Sequence, residues 1–196
     1  MLWPRLNVPT SGLPAKFAWL SLDFCRLRPA FLFLILYPCA EDVVKEVDGH
    51  PLTASERLYC AGEALFLFAS SPLHISYSVA QLATFLLKPI QLNQFRIYRT
   101  KDKPVGFVSW AFLSAEAAEA YSTDRRELRA DDWISGDRLW IIDFIAPFGH
   151  AHAMHRDLRC NMFPNHRAMS VRRHPQGHIL KIVEHQGINV ARGRAS

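Results

Sequence analysis

The sequence predicts an α/β or α+β domain, a mixed sheet flanked by helices. Two features of the chain lead there. Apolar residues recur at helical spacing between residues 53 and 87, then alternate along short stretches rich in β formers. The two kinds of stretch interleave in the order α, α, β-hairpin, α, β, α, β, β, a pattern of helices packed on a sheet. Composition agrees. Of 196 residues, 49% are hydrophobic and 21% charged, enough apolar surface for a core and too little charge for wholesale disorder. No apolar run approaches the ~20 residues of a membrane span. No internal repeat is present.

Thr53–Ser70 reads as the first helix. Thr53 or Ser55 supplies the N-cap, and Leu58, Ala61, Leu65 and Phe68 recur at helical spacing. Pro72 disfavours helix at Ser71, so the helix stops near Ser70. Val79–Leu87 is the second helix, ended by Pro89. Gln94–Arg99 alternates, Val105–Leu113 is rich in β formers, and Thr100–Pro104 is the turn of the hairpin between them. In its second strand both alternating sets are largely apolar, namely Val105, Phe107, Ala111 and Leu113 against Val108, Trp110 and Phe112. Such a strand is covered on both faces. Ser114 caps a short helix through Tyr121, and Arg125–Asp132 is a charged loop. Leu139–Ile145 is a strand, followed by Pro147 and Gly149. Ala151–Met162 is helical, and Met169–Arg172 and Ile179–Val183 are short strands about the turn His174–Gly177.

Residues 1–50 differ from the rest and read as an N-terminal extension. Met1–Pro14 holds three prolines and has no clear period. Ala30–Tyr37 is a continuous apolar run closed by Pro38, too short to cross a bilayer. A signal peptide would use this run as its core, with cleavage after Ala40. The 29 residues before it, Asp23 among them, argue for a buried element or an upstream extension instead. Glu41–Pro51 is polar and turn-like. The expected organisation is an extension over 1–50, a domain over 51–187 and a basic tail over 188–196.

Lys plus Arg exceed Asp plus Glu by 23 − 18 = 5. Residues 151–196 carry eight basic and two acidic groups, so this stretch supplies +6, and seven of the nine histidines lie between His150 and His185. A basic surface of this kind suits an anionic partner, whether acidic protein, nucleic acid or lipid head group. Cys25, Cys39, Cys60 and Cys160 fit no zinc spacing and form no C-x-x-C, which points to reduced thiols rather than a disulfide framework.

Four places could carry chemistry. Asp143 lies in Leu-Trp-Ile-Ile-Asp-Phe-Ile, where alternation puts it on the face shared with Ile141 and Ile145. A carboxylate in an apolar strand must be paired, hydrogen-bonded or protonated. It marks either a site or a structural ion pair, with Arg138 as the candidate partner. His74 is a candidate general base, and Ser71 three residues earlier invites a nucleophile–base pairing. Trp133-Ile-Ser-Gly-Asp-Arg138 reads as a tight turn in which Asp137 and Arg138 pair. His150, His152 and His155 have helical spacing, yet no acidic or cysteine ligand accompanies them, and the expectation is no metal. No Walker loop, dinucleotide fingerprint or H-E-x-x-H occurs.

Several blocks occur together in one order. They are Ala69-Ser-Ser-Pro-Leu-His74, Pro89-Ile-Gln-Leu-Asn-Gln94, Pro104-Val105 leading to Ser109-Trp110-Ala111, Asp132-Trp133-Ile-Ser-Gly-Asp-Arg138, and Trp140-Ile-Ile-Asp143-Phe-Ile-Ala-Pro-Phe-Gly149. The series resembles the RTX toxin-activating lysine acyltransferases of the hemolysin-activating type, from about Gly62 to Gly187. The resemblance implies a GNAT-like fold with a mixed, largely antiparallel sheet. It also implies transfer of a fatty acyl group from acyl carrier protein to internal lysines of an RTX protoxin. His74 and Asp143 match the family's catalytic histidine and aspartate, and Ser71, Asp137 and Arg138 are the supporting candidates. Ile75-Ser76-Tyr77-Ser78 stands where the family usually has a Trp-Pro pair. The chain stops at Ser196, where the family normally continues into a further helical stretch, so a decayed, inactive member is one alternative expectation.

The resemblance further implies a cytoplasmic enzyme, no resident cofactor, and a homodimer. GNAT enzymes that use coenzyme A usually carry the pyrophosphate loop [RQ]-x-x-G-x-[GA]; none occurs here, which fits acyl carrier protein as donor. Arg156, Arg159, Arg167, Arg172 and Arg173 would offer that acidic protein a complementary face. Direct attack of lysine on the thioester is favoured over an acyl-Ser71 intermediate, because a thioester is already activated. The rival from another class is a non-catalytic module whose basic stretch binds nucleic acid or anionic lipid. It is disfavoured, because single-strand binders interleave aromatics with basic residues. Phe163 is the lone aromatic among the eight basic residues of 151–196.

Overall fold

The computed structural model describes residues 52–174 and 178–193. The N-terminal extension, with Ala30–Tyr37, Cys25 and Cys39, lies outside the described residues.

Helix α1 spans Ala54–Ala69, and Thr53 caps it through a reciprocal box. The Thr53 hydroxyl accepts from Glu56 N–H at 3.2 Å, and the Glu56 carboxylate accepts from Thr53 N–H at 2.8 Å. The helix ends at Ser70, as Pro72 requires. Its buried face is Cys60, Ala64, Leu67 and Phe68. Of the apolar residues that defined its period, Leu58 is 75% exposed and Leu65 48%. The helix is apolar nearly all round, so periodicity located the helix without selecting its inner face.

The second helix runs past its expected stop. Val79–Leu82 (α2) is capped by Ser78, Ala83–Leu87 forms a π turn, and Lys88–Leu92 (α3) follows. A proline inside a helix lacks a donor and presses its ring on the carbonyl four residues earlier. The wider π turn just before Pro89, closed by Lys88 N–H to Ala83 O, relieves that conflict, so Pro89 starts a helical turn instead of ending one. Asn93, at φ 54°, then turns the chain into the sheet.

Five strands follow: β1 (Phe95–Arg99), β2 (Pro104–Leu113), β3 (Arg138–Ile145), β4 (Arg167–Arg173) and β5 (Ile179–Gln186). They lie in sequence order. Three pairings are antiparallel; β3 and β4 are parallel, joined by a crossover through α5 (Ala151–Asp157) and a π turn over Leu158–Met162. This is the mixed, largely antiparallel sheet that the sequence predicted. Helix α4 (Ala115–Ser122), capped by Ser114, lies between β2 and β3 in the chain. A last helix, α6 (Ile188–Gly193), was not foreseen and occupies the first part of the expected tail. Gly187 precedes it, and a side chain there would collide with the Phe163 and Pro164 carbonyls.

β2 is buried on both faces, as expected. On one face Phe107 packs with Leu67, Phe68 and Ile145 beneath α1. Further along the same face, Ala111, Leu113 and Trp140 pack with Phe85 and with Ala117, Ala118 and Tyr121 of α4. On the other face Val108, Trp110, Leu139 and Ile141 meet Met154 and Leu158 of the crossover. Tyr98 is sealed there too, its hydroxyl donating to Asp157 at 2.8 Å. No helix among the described residues is long and apolar enough to cross a membrane.

Candidate active site

His74 stands in the turn that leaves α1. Pro72 stops the helix, and the chain coils on itself: His74 N–H and Ile75 N–H both donate to the Ser71 carbonyl at 3.0 Å. Residues three apart in such a coil face the same way. Ser71 Oγ and His74 Nδ1 are accordingly 2.7 Å apart. The other ring nitrogen, Nε2, lies 3.3 Å from Asp143 Oδ1, across 69 residues of sequence. The imidazole is 6% exposed and the aspartate 4%.

Asp143 reaches His74 because β3 carries a bulge. Ser109 pairs with Asp143 and Trp110 with Ile141, which leaves Ile142 as an extra residue on β3. Strict alternation had placed Asp143 on the face of Ile141 and Ile145, and the structure corrects half of that. Ile141 packs with Trp110 and Met154 on the α5 side, whereas Ile145 packs with Phe68 and Phe107 on the α1 side. The bulge shifts the parity, and Asp143 joins Ile145 on the face where His74 waits.

The partners assign the protons. A carboxylate only accepts, so Nε2 carries the ring hydrogen and donates to Oδ1. Nδ1 is then bare and accepts the Ser71 hydroxyl. The basic lone pair therefore opens on Ser71. These are the three groups of a hydrolase triad, with the ring nitrogens used in the opposite sense. Aromatic rings wall the imidazole: Phe68 meets it edge-on at 5.0 Å between centroids and Tyr77 at 5.1 Å. Burial pushes the Tyr77 hydroxyl well above the usual phenol range, and the Asp143 charge adds to the rise.

The other sequence candidates lie apart. Asp143 is partnered by His74 and Ser109, not by Arg138. Arg138 is exposed at the start of β3 and lines a depression of about 610 Å³ with Glu119, Ser122 and Trp140. None of the residues around His74 lines it. Asp137 and Arg138 form no ion pair; the pair in this region is Arg126–Asp132, which holds the Asp132 carboxyl below its usual range. His155 meets His185, Nε2 to Nδ1 at 3.2 Å. No cluster of three or more His, Cys, Asp or Glu is arranged to hold a metal among the described residues. Three of the basic residues of the C-terminal stretch have partners within the fold: Arg159 donates to the Gln186 carbonyl at 2.7 Å, Arg173 pairs with Asp124 at 2.9 Å, and Arg167 pairs with Glu184 at 3.6 Å. Arg156, Arg167 and Arg172 are exposed.

Sequence reasoning singled out neither Ser109 nor the ring walls Phe68 and Tyr77 as site residues. Ser109 carried a usable signal. It is the one polar side chain in Pro104–Leu113, the same anomaly that exposed Asp143.

Comparison with known proteins places this arrangement. Residues 53–186 match the model of the RTX toxin acyltransferase family. The chain is 41% identical over 135 residues to the RTX-I toxin-activating lysine-acyltransferase ApxIC of Actinobacillus pleuropneumoniae, covering 69% of this chain and 78% of that protein. It is 39% identical over 136 residues to the protein-lysine myristoyltransferase HlyC of Escherichia coli, covering 69% and 79%. A leukotoxin-activating lysine-acyltransferase, LtxC of Aggregatibacter actinomycetemcomitans, is 40% identical over 126 residues, covering 64% and 74%.

Proposed function

The chain belongs to the RTX toxin acyltransferase family, and on that premise we propose that it is a protein-lysine acyltransferase. It moves a fatty acyl group from acyl carrier protein to internal lysines of an RTX protoxin, in the cytoplasm and with no resident cofactor. One observation carries the reading. A buried carboxylate orients the His74 ring, and the free lone pair of that ring faces a hydroxyl at 2.7 Å.

Amide formation needs a neutral amine. A free lysine has a pKa of about 10.4, so at pH 7 only about one in a few thousand is neutral. His74 supplies the base. The lysine enters beside Ser71 and its nitrogen bonds to the thioester carbonyl carbon. An amine proton passes to the Ser71 oxygen as the Ser71 proton passes to Nδ1. Asp143 steadies the imidazolium that forms. The tetrahedral oxyanion then collapses, the C–S bond breaks, and His74 returns the proton to the departing thiol. Exposed Arg156 of α5 and Arg172, which alternation along β4 puts on the α5 side with Ala168, offer an acidic carrier protein opposite charge. A homodimer belongs to the same reading, and sedimentation velocity checks it.

The test pairs donors. The protein, a cognate protoxin and either acyl carrier protein or coenzyme A thioesters are incubated, and acyl-lysine is read by mass spectrometry. Transfer from the carrier protein is expected. Equal or better transfer from coenzyme A overturns the donor assignment, and no acyl-lysine with either overturns the activity.

The Ser71–His74 contact favours a second reading, in which Ser71 takes the acyl group first and lysine attacks the ester. An acyl-Ser71 adduct, trapped without protoxin, would establish it.

A further inference from the structure

We propose that Ser109 is a positioning residue for His74, acting through Asp143. The proposal rests on the reading of His74 as base and names the group that aims it.

Ser109 is fully buried, in the middle of β2, directly opposite Asp143. Its hydroxyl meets that one residue twice. Asp143 N–H donates to Ser109 Oγ at 3.2 Å, and Ser109 Oγ lies 3.1 Å from Asp143 Oδ2. An oxygen that accepts the backbone hydrogen has its single O–H left for the carboxylate, so Ser109 donates to Oδ2. Main chain and side chain of Asp143 are thus clasped by one atom.

This clasp sits at the β-bulge. The bulge leaves Ile142 unpaired, and the N–H of Asp143 beside it is held by the Ser109 hydroxyl. Trp110 N–H, next to Ser109, donates out of β2 to the Gln94 carbonyl at 3.1 Å, which fixes the β2 side of the irregularity. With Oδ2 held, the plane of the carboxylate is set and Oδ1 is the oxygen presented to Nε2. Either carboxylate oxygen only accepts, so Asp143 keeps the ring hydrogen on Nε2 and Nδ1 bare toward Ser71, and Ser109 holds the carboxylate where it can do so. A serine hydroxyl in β2 thereby fixes the group that orients the His74 ring. The neighbours of Ser109 on its face are Phe107 and Ala111, both fully buried and apolar, and the hydroxyl has no hydrogen-bonding partner there except Asp143.

The test uses three variants of the full chain. Ser109→Ala removes the hydroxyl without adding bulk. Ser109→Thr and Ser109→Val add the same bulk and differ only in the hydroxyl, so overpacking cancels between them. Ser109→Ala is expected to lower kcat ~10-fold or more with KM for protoxin little changed, the scale on which outer partners of a reacting group act. Ser109→Thr should exceed Ser109→Val in kcat by a similar factor. Proton and nitrogen-15 spectra of labelled His74 supply a readout independent of turnover: in wild type the Nε2–H proton lies downfield, hydrogen-bonded to the Asp143 carboxylate, and in Ser109→Ala it moves upfield as that bond loosens. Wild-type kcat together with an unchanged His74 Nε2–H shift in Ser109→Ala overturns the proposal. So does equal loss in Ser109→Thr and Ser109→Val, which is packing alone. Full activity in His74→Ala would instead remove the catalytic reading, and the Nε2–H spectra would still decide whether Ser109 holds the carboxylate against the ring.

Discussion

Replacing Asp143 by asparagine exchanges one heavy atom, an oxygen for a nitrogen, and changes almost no volume. The structure foretells how the amide would sit. Ser109 accepts the residue-143 backbone N–H, so its hydroxyl must donate to the side chain. The introduced amide therefore turns its oxygen to Ser109 and its NH2 to His74. An NH2 group only donates, so Nε2 must become an acceptor and the ring hydrogen moves to Nδ1. The lone pair that faced Ser71 is gone. In hydrolases the matching substitution lowers kcat by about 10⁴. Here the His74–Asp143 contact is 3.3 Å, longer than the usual ~2.9 Å, so the carboxylate contributes less. The expected loss is about 10²–10³ in single-turnover acyl-lysine formation, or about 3–4 kcal/mol of transition-state stabilisation. The amide keeps both hydrogen bonds at a buried site, so the melting temperature should move by no more than about 3 °C. Activity within threefold of wild type at an unchanged melt would refute the assignment of Asp143. Adding Ser109→Ala to Asp143→Asn releases the amide to flip, and the double variant should recover part of the lost rate.

His74→Ala should lose at least ~10²-fold in acyl transfer, measured beside thermal melts. Ser71→Ala should be milder, ~10-fold, since water can replace the hydroxyl as relay; a Ser71→Ala enzyme as inactive as His74→Ala, at equal melting temperature, would refute direct attack. Gly136→Ala drives a methyl group onto the Leu113 carbonyl and Ser114 backbone, where it should cost about 2 kcal/mol and lower the melting temperature by ~5 °C. An unchanged melt would show that the turn can open. His185, packed against His155 of α5 and Ser170 of β4 with Arg159 nearby, is pushed down to about 4 by burial first and then by its charged neighbours. The unfolded chain therefore takes up a proton near pH 6.5 that the folded protein refuses, so stability falls as pH drops from about 6.5 toward 4. His185→Gln should flatten that fall in urea midpoints recorded against pH; parallel curves for the two proteins would remove His185 as its source.

The elements were legible where local rules act alone. Thr53 and Ser114 announce helix starts because capping is a matter of three or four neighbouring residues. The hairpin about Thr100–Lys103 is local in the same way, closed by Thr100 N–H to the Lys103 carbonyl at 2.9 Å. The inner face of α1 was not legible, since a helix with apolar residues on every side is oriented only by what it packs against. Pro89 misled for a related reason. The rule that proline ends a helix assumes regular i→i+4 winding, and the π turn over Ala83–Leu87 suspends that assumption.

The site divides along the same line. Ser71 and His74 are three residues apart, and Pro72 between them forces the coil that brings them together, so that half could be read from one short segment. The other half depends on a single inserted residue. Alternation sends Asp143 to the α5 side with Ile141, into a wholly apolar cluster of Trp110, Met154 and Leu158. No pattern in Leu139–Ile145 marks Ile142 as the bulge, because all its neighbours are apolar and either parity buries them. What betrays the bulge is the polar pair itself. Ser109 and Asp143 are the polar residues of two otherwise apolar strand centres, and only a parity shift sets them opposite each other on the face that His74 reaches. A buried aspartate in an apolar strand thus asks two questions of the sequence: which base it serves, and which hydroxyl on the neighbouring strand holds it.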